Sequence, residues 1–595
     1  MGYTWLPSIE WEKKDERNSA DALKSSDQEW DYLHSEKKTK KIARLLMLIS
    51  IKQETNPTMN SMIFWQTEDQ IITIYNKTFY SFIIILMTKE IMLTGKNIAI
   101  EDIVSVWRNK VKIIIPPETL IRVQENRGAI AEMLDRGDVM YGLNTGIGWF
   151  GNVVISRDQA WELSTRMLRA HASWYGDFVE EEIARATLFL RLSVFAQGYS
   201  GVRVELLQTF VEMLNKWVVP TFYEKWSVGT SWDLAPLSQM WLVIIGEGNA
   251  YYQWEILPGA EAMKKAGIPL VSLAYREGLA IMNGTQFMSA IAAFNVYDAE
   301  RLIKQAEISG SMTLDVLNCV ETAFDARYNE LKPYKWQNNC AKNIRRMLAW
   351  SEILKQKKEN VQNAYSLRAL PQVLWAMKDS LDFIRKMTET EMNSVADNPI
   401  FITTDKVALA WANFHGAPIW YTQDLLGIII TDLWNLSERQ TNNLLDPACS
   451  WWLPAFLVKT PGLDSWLMIS QYTQAALVSE NKSLASPASV DSISVSANQE
   501  DHVSFGTIAA RQAREIIKNT EAVVAIQLLV VCQAYEFKKN LKPSPTFQAV
   551  YNLIREVSPA IEEDRAFYKD IEIIVPLVRN YQVLEEAEKM VGKLN

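Results

Sequence analysis

The sequence predicts a mainly α-helical protein whose long helices pack side by side. Three observations carry this. Apolar residues recur at three- and four-residue spacing, as at Leu188, Leu192 and Phe195, which is the period of a helix with one buried face. Several such stretches exceed the ~8–20 residues of an ordinary globular helix. Strand-like runs are few and short, such as Ile400 to Thr403 and Lys406 to Ala410. In chain order, Ile98 to Ile115 and Pro117 to Asp135 alternate short β-like pieces with amphipathic helix. A helical stretch then covers Glu180 to Asn215, interrupted near Gly198 and Gly201, which mark a turn. Further helices are expected over about 234–247, 286–325, 370–392, 417–445, 466–485 and 505–536. Helices of this length bury their apolar stripes against one another in a bundle.

Composition narrows the function. The chain has 595 residues, 48% of them hydrophobic, and a net charge of −9 with no basic block. Such a chain can bury a large core, and nucleic acid is not an expected partner. Cys319, Cys340, Cys449 and Cys532 are scattered with no CxxC spacing, which fits free thiols in a reducing, cytoplasmic setting. The most membrane-like run, Phe79 to Met87, has nine residues and is too short to span a bilayer. Residues 1–90 lack a sustained period, and the polar run Trp11 to Lys41 reads as exposed or disordered. This extension is either an accessory segment or upstream sequence, with Met87 or Met92 as the start.

Six segments could carry chemistry. Tyr141-Gly142-Leu143-Asn144-Thr145-Gly146-Ile147-Gly148 is a glycine loop with a tyrosine at its mouth; taken alone, a plain turn explains it. Thr230-Ser231-Trp232-Asp233 precedes an apolar helix, and locally Ser231 reads as a helix N-cap rather than a hydrolase nucleophile, because no G-x-S-x-G frame is present. Asn283-Gly284-Thr285-Gln286 is a polar turn opening a helix. In Gln362-Asn363-Ala364-Tyr365-Ser366-Leu367-Arg368, a helix would put Gln362, Tyr365 and Arg368 on one face, and an arginine there suits a carboxylate. The last two are Asn413-Phe414-His415-Gly416 and the stretch from Ser479-Glu480-Asn481-Lys482 to Asn498-Gln499-Glu500-Asp501-His502. Each of these last four, taken singly, reads as a capping turn or solvated face. The histidines are His34, His171, His415 and His502, with no metal-site spacing among them.

In this order and spacing, the six segments resemble the aromatic amino acid lyase family over about residues 92 to 590. That family includes histidine, phenylalanine and tyrosine ammonia-lyases and related aminomutases; the histidine enzymes match best. The resemblance implies a long central helical bundle (the ammonia-lyase or L-aspartase-like fold) with a smaller α+β head carrying the active site. It divides the chain into the unmatched 1–90, a head over 91–290 and a bundle with C-terminal region over 291–595. It implies a homotetramer whose sites borrow residues from neighbouring chains, an amino acid substrate, no metal, and a methylidene-imidazolone formed autocatalytically from Thr230, Ser231 and Trp232. By motif, Tyr141 would be the general base, Arg368 would hold the substrate carboxylate and Asn283 would help position it. Gln362 and Tyr365 would surround the electrophile, Phe414 would line the pocket, and His171 and Glu480 would meet the imidazole of histidine. The implied reaction is elimination of ammonia from L-histidine to urocanate. A tyrosine or phenylalanine lyase or an aminomutase remains the alternative, since some of those relatives carry a similar His and Glu.

One departure stands out. The family has glycine where this chain has Trp232, and likewise at Trp174, Trp226, Trp254, Trp375, Trp411 and Trp466. The whole chain holds 22 Trp against 24 Gly, where glycine ordinarily makes up about 7% of residues. A code in which UGA means glycine, translated here as tryptophan, accounts for the excess, the deficit and Trp232 together. If the tryptophans are genuine, the chain is an inactive relative that keeps the fold.

Overall fold

The computed structural model describes residues 90–595, apart from 174, 226, 228–233 and 359, and the backbone of 63–67 and 70–74. The chain divides into two compact units, Met1–Thr88 and Lys89–Asn595. In the first, Ile63–Thr67 pairs antiparallel with Gln70–Ile74. The polar run Trp11 to Lys41 lies outside the described residues.

The second unit is helical. Its elements near the site are α1 (Glu181–Ala196), α2 (Gln286–Val316), α3 (Tyr365–Arg368), α4 (Leu370–Met392), α5 (Ala417–Leu445), α6 (Met468–Leu484) and α7 (Gly506–Tyr535). The expected break after the first long helix is real: α1 stops at Ala196, and the next helix runs Val204–Lys216. Gly198 and Gly201, at φ +75° and +71°, make the turn between them. The expected helix over 286–325 ends earlier, at Val316. Asn318 turns left-handed there, and the Cys319 amide donates back to Leu314 O at 3.0 Å, which closes the helix.

α5 and α7 pack along much of their length, α2 lies against both, and α4 covers α2 and α5. α2 is buried on nearly every face, as befits the middle of a bundle. Before it lies a smaller region. There the helices Arg157–His171, Leu234–Leu242 and Glu277–Met282 pack together, beside a three-stranded antiparallel sheet of Val219–Pro220, Asn249–Tyr252 and Glu255–Pro258. The two strand-like runs near residue 400 form a hairpin, Ile400–Ile402 with Val407–Leu409. Among the described residues no helix is long and apolar enough to cross a membrane.

Candidate active site

The glycine loop places Tyr141. The Asn144 side chain accepts the Met140 amide at 2.7 Å and donates to Asp138 O at 2.8 Å, while Thr145 Oγ1 accepts the Gly142 amide at 3.0 Å. Gly142 is required on two counts. Its φ is +63°, and a Cβ would fall 2.3 Å from Leu279 Cδ2. Gly148, at φ +56°, turns its amide onto the phenol: Gly148 N–H donates to Tyr141 Oη at 2.8 Å. Burial pushes the Tyr141 hydroxyl above its ordinary 10.0; the Gly148 amide pulls it down, and the nearby Glu500 carboxylate pushes it up again.

Asn283 ends the helix Glu277–Met282 and is buried. Its amide donates to Leu279 O, while its side-chain Oδ1 has no hydrogen-bond partner among the described residues. A buried acceptor of this kind is costly unless a ligand or modified group meets it. The turn that carries it is pinned from behind by Arg191. That guanidinium donates to Gln286 Oε1 at 2.9 Å and Ala396 O at 3.1 Å, reaches Ala280 O, and forms an ion pair with Asp397 at 3.2 Å. Asp397 also takes Arg276 at 2.8 Å, and all three side chains are fully buried. Sequence reasoning missed this trio. The available signal was an arginine inside the apolar run LFLRLSVFA.

Phe414 is buried with Met288, Ala292 and Ile419. Beside it the His415 and His502 rings stack with centroids 6.0 Å apart. His171 is the last residue of its helix, half-buried, with Nδ1 2.8 Å from Met167 O. A carbonyl only accepts, so Nδ1 carries a proton and donates to it.

Of the remaining expected residues, Gln362, Tyr365 and Glu480 are exposed and Arg368 is half-buried. The helix expected to present Gln362, Tyr365 and Arg368 together starts only at Tyr365. The contact forms nonetheless: Arg368 Nη1 donates to Gln362 Oε1 at 2.7 Å, and its guanidinium lies 4.2 Å from the centre of the Tyr365 ring, which is 76% exposed. Glu480 is exposed on α6, where Asn519 Nδ2 donates to its Oε2 at 3.4 Å. Among the described residues no hydrogen bond or ion pair joins Tyr141, Asn283, the Gln362–Arg368 set and Glu480 to one another. Thr230, Ser231 and Trp232 lie outside the described residues, as do Trp174 and Trp226.

Residues 98–556 match the family model of the aromatic amino acid lyases. The chain belongs to the aromatic amino acid lyase family. It is 44% identical over 505 residues to a histidine ammonia-lyase of Caldanaerobacter subterraneus subsp. tengcongensis, covering 85% of this chain and 99% of that protein. Among solved structures, a tyrosine aminomutase from Streptomyces globisporus superposes with a TM-score of 0.81 at 31% identity, over 85% of this chain and 100% of that one. A histidine ammonia-lyase from Trypanosoma cruzi superposes with a TM-score of 0.78 at 34% identity, over 84% and 95%. The mainly helical fold is therefore that of the ammonia-lyases, and the chemistry of this family member is carbon–nitrogen bond cleavage.

Proposed function

We propose that this lyase is a histidine ammonia-lyase that eliminates ammonia from L-histidine to give urocanate in histidine breakdown. The observation that carries the reading is 44% identity over 85% of this chain to an enzyme of that name, on a chain with a carboxylate at Glu480 and a histidine at His171. A carboxylate accepts an imidazole N–H and is a poor floor for a phenyl ring. The stacked alternative, a tyrosine or phenylalanine lyase or aminomutase, is favoured by the superposition on a tyrosine aminomutase.

The methylidene-imidazolone of the family would be formed by Thr230, Ser231 and residue 232, with glycine as residue 232. It supplies an electrophile that no ordinary side chain offers. The buried, unmet Asn283 Oδ1 fits a group of this kind beside it. Tyr141 removes the β-proton of the substrate, its oxygen held by the Gly148 amide as an acceptor. Arg368 holds the substrate carboxylate, with Gln362 and Tyr365 around it. Phe414 walls the pocket.

Gln362, Tyr365, Arg368 and Glu480 reach this chemistry from neighbouring chains of a homotetramer. α6 supports that assembly, for its buried positions are the polar Ser470, Gln474 and Asn481, while Ile469 and Tyr472 face outward. The four cysteines are free, which fits the reducing cytoplasm proposed for this enzyme.

The test is urocanate formation from L-histidine, followed by ultraviolet absorbance, with the chain as written and with glycine at the seven family glycine positions. Turnover of histidine by the glycine version supports the reading. Turnover of tyrosine or phenylalanine alone moves the assignment to the alternative, and no turnover of any of the three by either version leaves an inactive relative.

A further inference from the structure

Five tryptophans adopt a backbone conformation that belongs to glycine. Among the described residues Trp217, Trp254, Trp350, Trp451 and Trp466 have φ of +59°, +72°, +69°, +70° and +35°. Non-glycine residues in this region are uncommon, and Asn is the usual exception because its short side chain bonds locally. Here tryptophan outnumbers asparagine, which is left-handed at Asn97, Asn318 and Asn498. A bulky ring gains nothing from the conformation and meets the full steric cost of a Cβ there.

Four of the five stand at turn positions with a known demand for glycine. Trp217 follows the helix Val204–Lys216, its amide donating to Leu214 O and that of Val218 to Met213 O; this is the helix-closing motif in which glycine is the usual left-handed residue. Gln253 and Trp254 form the two-residue loop between paired Tyr252 and Glu255, both with positive φ, a type I′ turn whose second residue is preferentially glycine. Ala349, at φ −57° and ψ 141°, precedes Trp350 at φ +69°, a type II turn with tryptophan in glycine's place. Trp451 is the left-handed residue ending the short helix Pro447–Ser450. The fifth, Trp466, is 2% exposed, and its indole N–H has no acceptor among the described residues. Buried indoles ordinarily find one. Trp375, Trp420, Trp434 and Trp452 share that defect.

We propose that the natural protein carries glycine at positions 217, 254, 350, 451 and 466, through one codon, UGA, read as glycine by its source and as tryptophan in this sequence. Three of these, 217, 350 and 451, are found by backbone geometry alone and not by the family pattern. One codon explains why a single unsuitable residue type recurs at unrelated turns, where independent substitution would favour residues that tolerate the conformation. Extending the same reading to position 232 rests on the proposed cofactor; the five positions do not.

The test is peptide mass mapping of the protein isolated from its native source. Glycine at all five positions is expected, and tryptophan at any of them overturns the proposal. Glycine at the five with tryptophan at 232 upholds it and refutes the proposed cofactor, so the two readings fail separately. A second measurement uses the chain made with tryptophan throughout. At Trp254, Trp350 and Trp451 the side chains are 92%, 83% and 66% exposed, so little packing is lost on removal. Replacing all three with glycine should raise the thermal midpoint by about 1–3 °C, whereas replacing all three with alanine should not, because alanine keeps the Cβ. An equal gain from alanine overturns the backbone argument.

Discussion

The Gly148 amide donates to the Tyr141 phenolic oxygen at 2.8 Å. That bond stabilises the phenolate, but burial and the Glu500 carboxylate outweigh it, so the hydroxyl titrates above 10.0 in this chain. The base form of a raised phenol is scarce at neutral pH and grows as pH rises. kcat/KM for histidine is therefore expected to climb roughly tenfold per pH unit through the neutral range until Tyr141 ionises. Tyr141→Phe should lower kcat by about 10²–10⁴-fold and abolish the slope. A flat profile for the parent enzyme between about pH 7 and 9 would show that Tyr141 is not the proton acceptor, or that positive charge from neighbouring chains depresses it.

The proposed contact between Glu480 and the substrate imidazole can be tested directly. It is exposed in the single chain and spends only a long 3.4 Å contact on Asn519, so its carboxylate is available to an imidazole. Glu480→Gln keeps the shape and removes the charge. The loss of a charge-assisted hydrogen bond is about 1.5–3 kcal/mol, so kcat/KM for histidine should fall about 10–100-fold while any activity on phenylalanine changes little. Equal losses on both substrates would place Glu480 away from the ring.

Much of the fold is legible because periodicity reports burial. The spans of α4, α5 and α7 follow from three- and four-residue apolar spacing, and the α1 break from two glycines; α6 has the expected span, but its apolar residues do not mark its buried face. Two boundaries were not legible, for local reasons. Asn318 closes α2 early by turning left-handed. Asn363 accepts the Val320 amide and donates to Val320 O, which holds that residue outside α3 and leaves Gln362 to reach Arg368 as a loop residue. Site residues were legible as segments through the family pattern, but their partners were not. Arg191 and Asp397 lie 206 positions apart in the chain, and no local pattern links them. The left-handed tryptophans were invisible for a similar reason, since a sequence does not state φ.

Asp397 pairs with two fully buried guanidiniums, 3.2 Å from Arg191 and 2.8 Å from Arg276, and among the described residues neither has another carboxylate partner. Removing one partner of a buried ion pair leaves charge without compensation, at a cost of about 3–5 kcal/mol. Asp397→Asn should therefore lower the denaturant midpoint substantially. It should also disturb the turn of Asn283, because Arg191 ties Ala280 O and Gln286 Oε1 on either side of it. A midpoint unchanged from the parent would mean that the trio carries little net stability.

The outward face of α6 tests the assembly. A surface helix ordinarily buries its apolar stripe and exposes its polar one, yet α6 buries Ser470, Gln474 and Asn481 and leaves Ile469 and Tyr472 at 56% and 64% exposed. Covering those side chains with another chain would restore the usual order, and in the proposed tetramer the same contact would carry Glu480 towards a neighbouring site. Ile469→Asp with Tyr472→Asp is expected to reduce the sedimenting mass from a tetramer to a smaller species and to abolish urocanate formation, with helical circular dichroism retained. Loss of activity in an intact tetramer would place α6 away from the interface but near the substrate. Full activity in an intact tetramer would remove α6 from both roles, and Glu480 would then have no route to the imidazole.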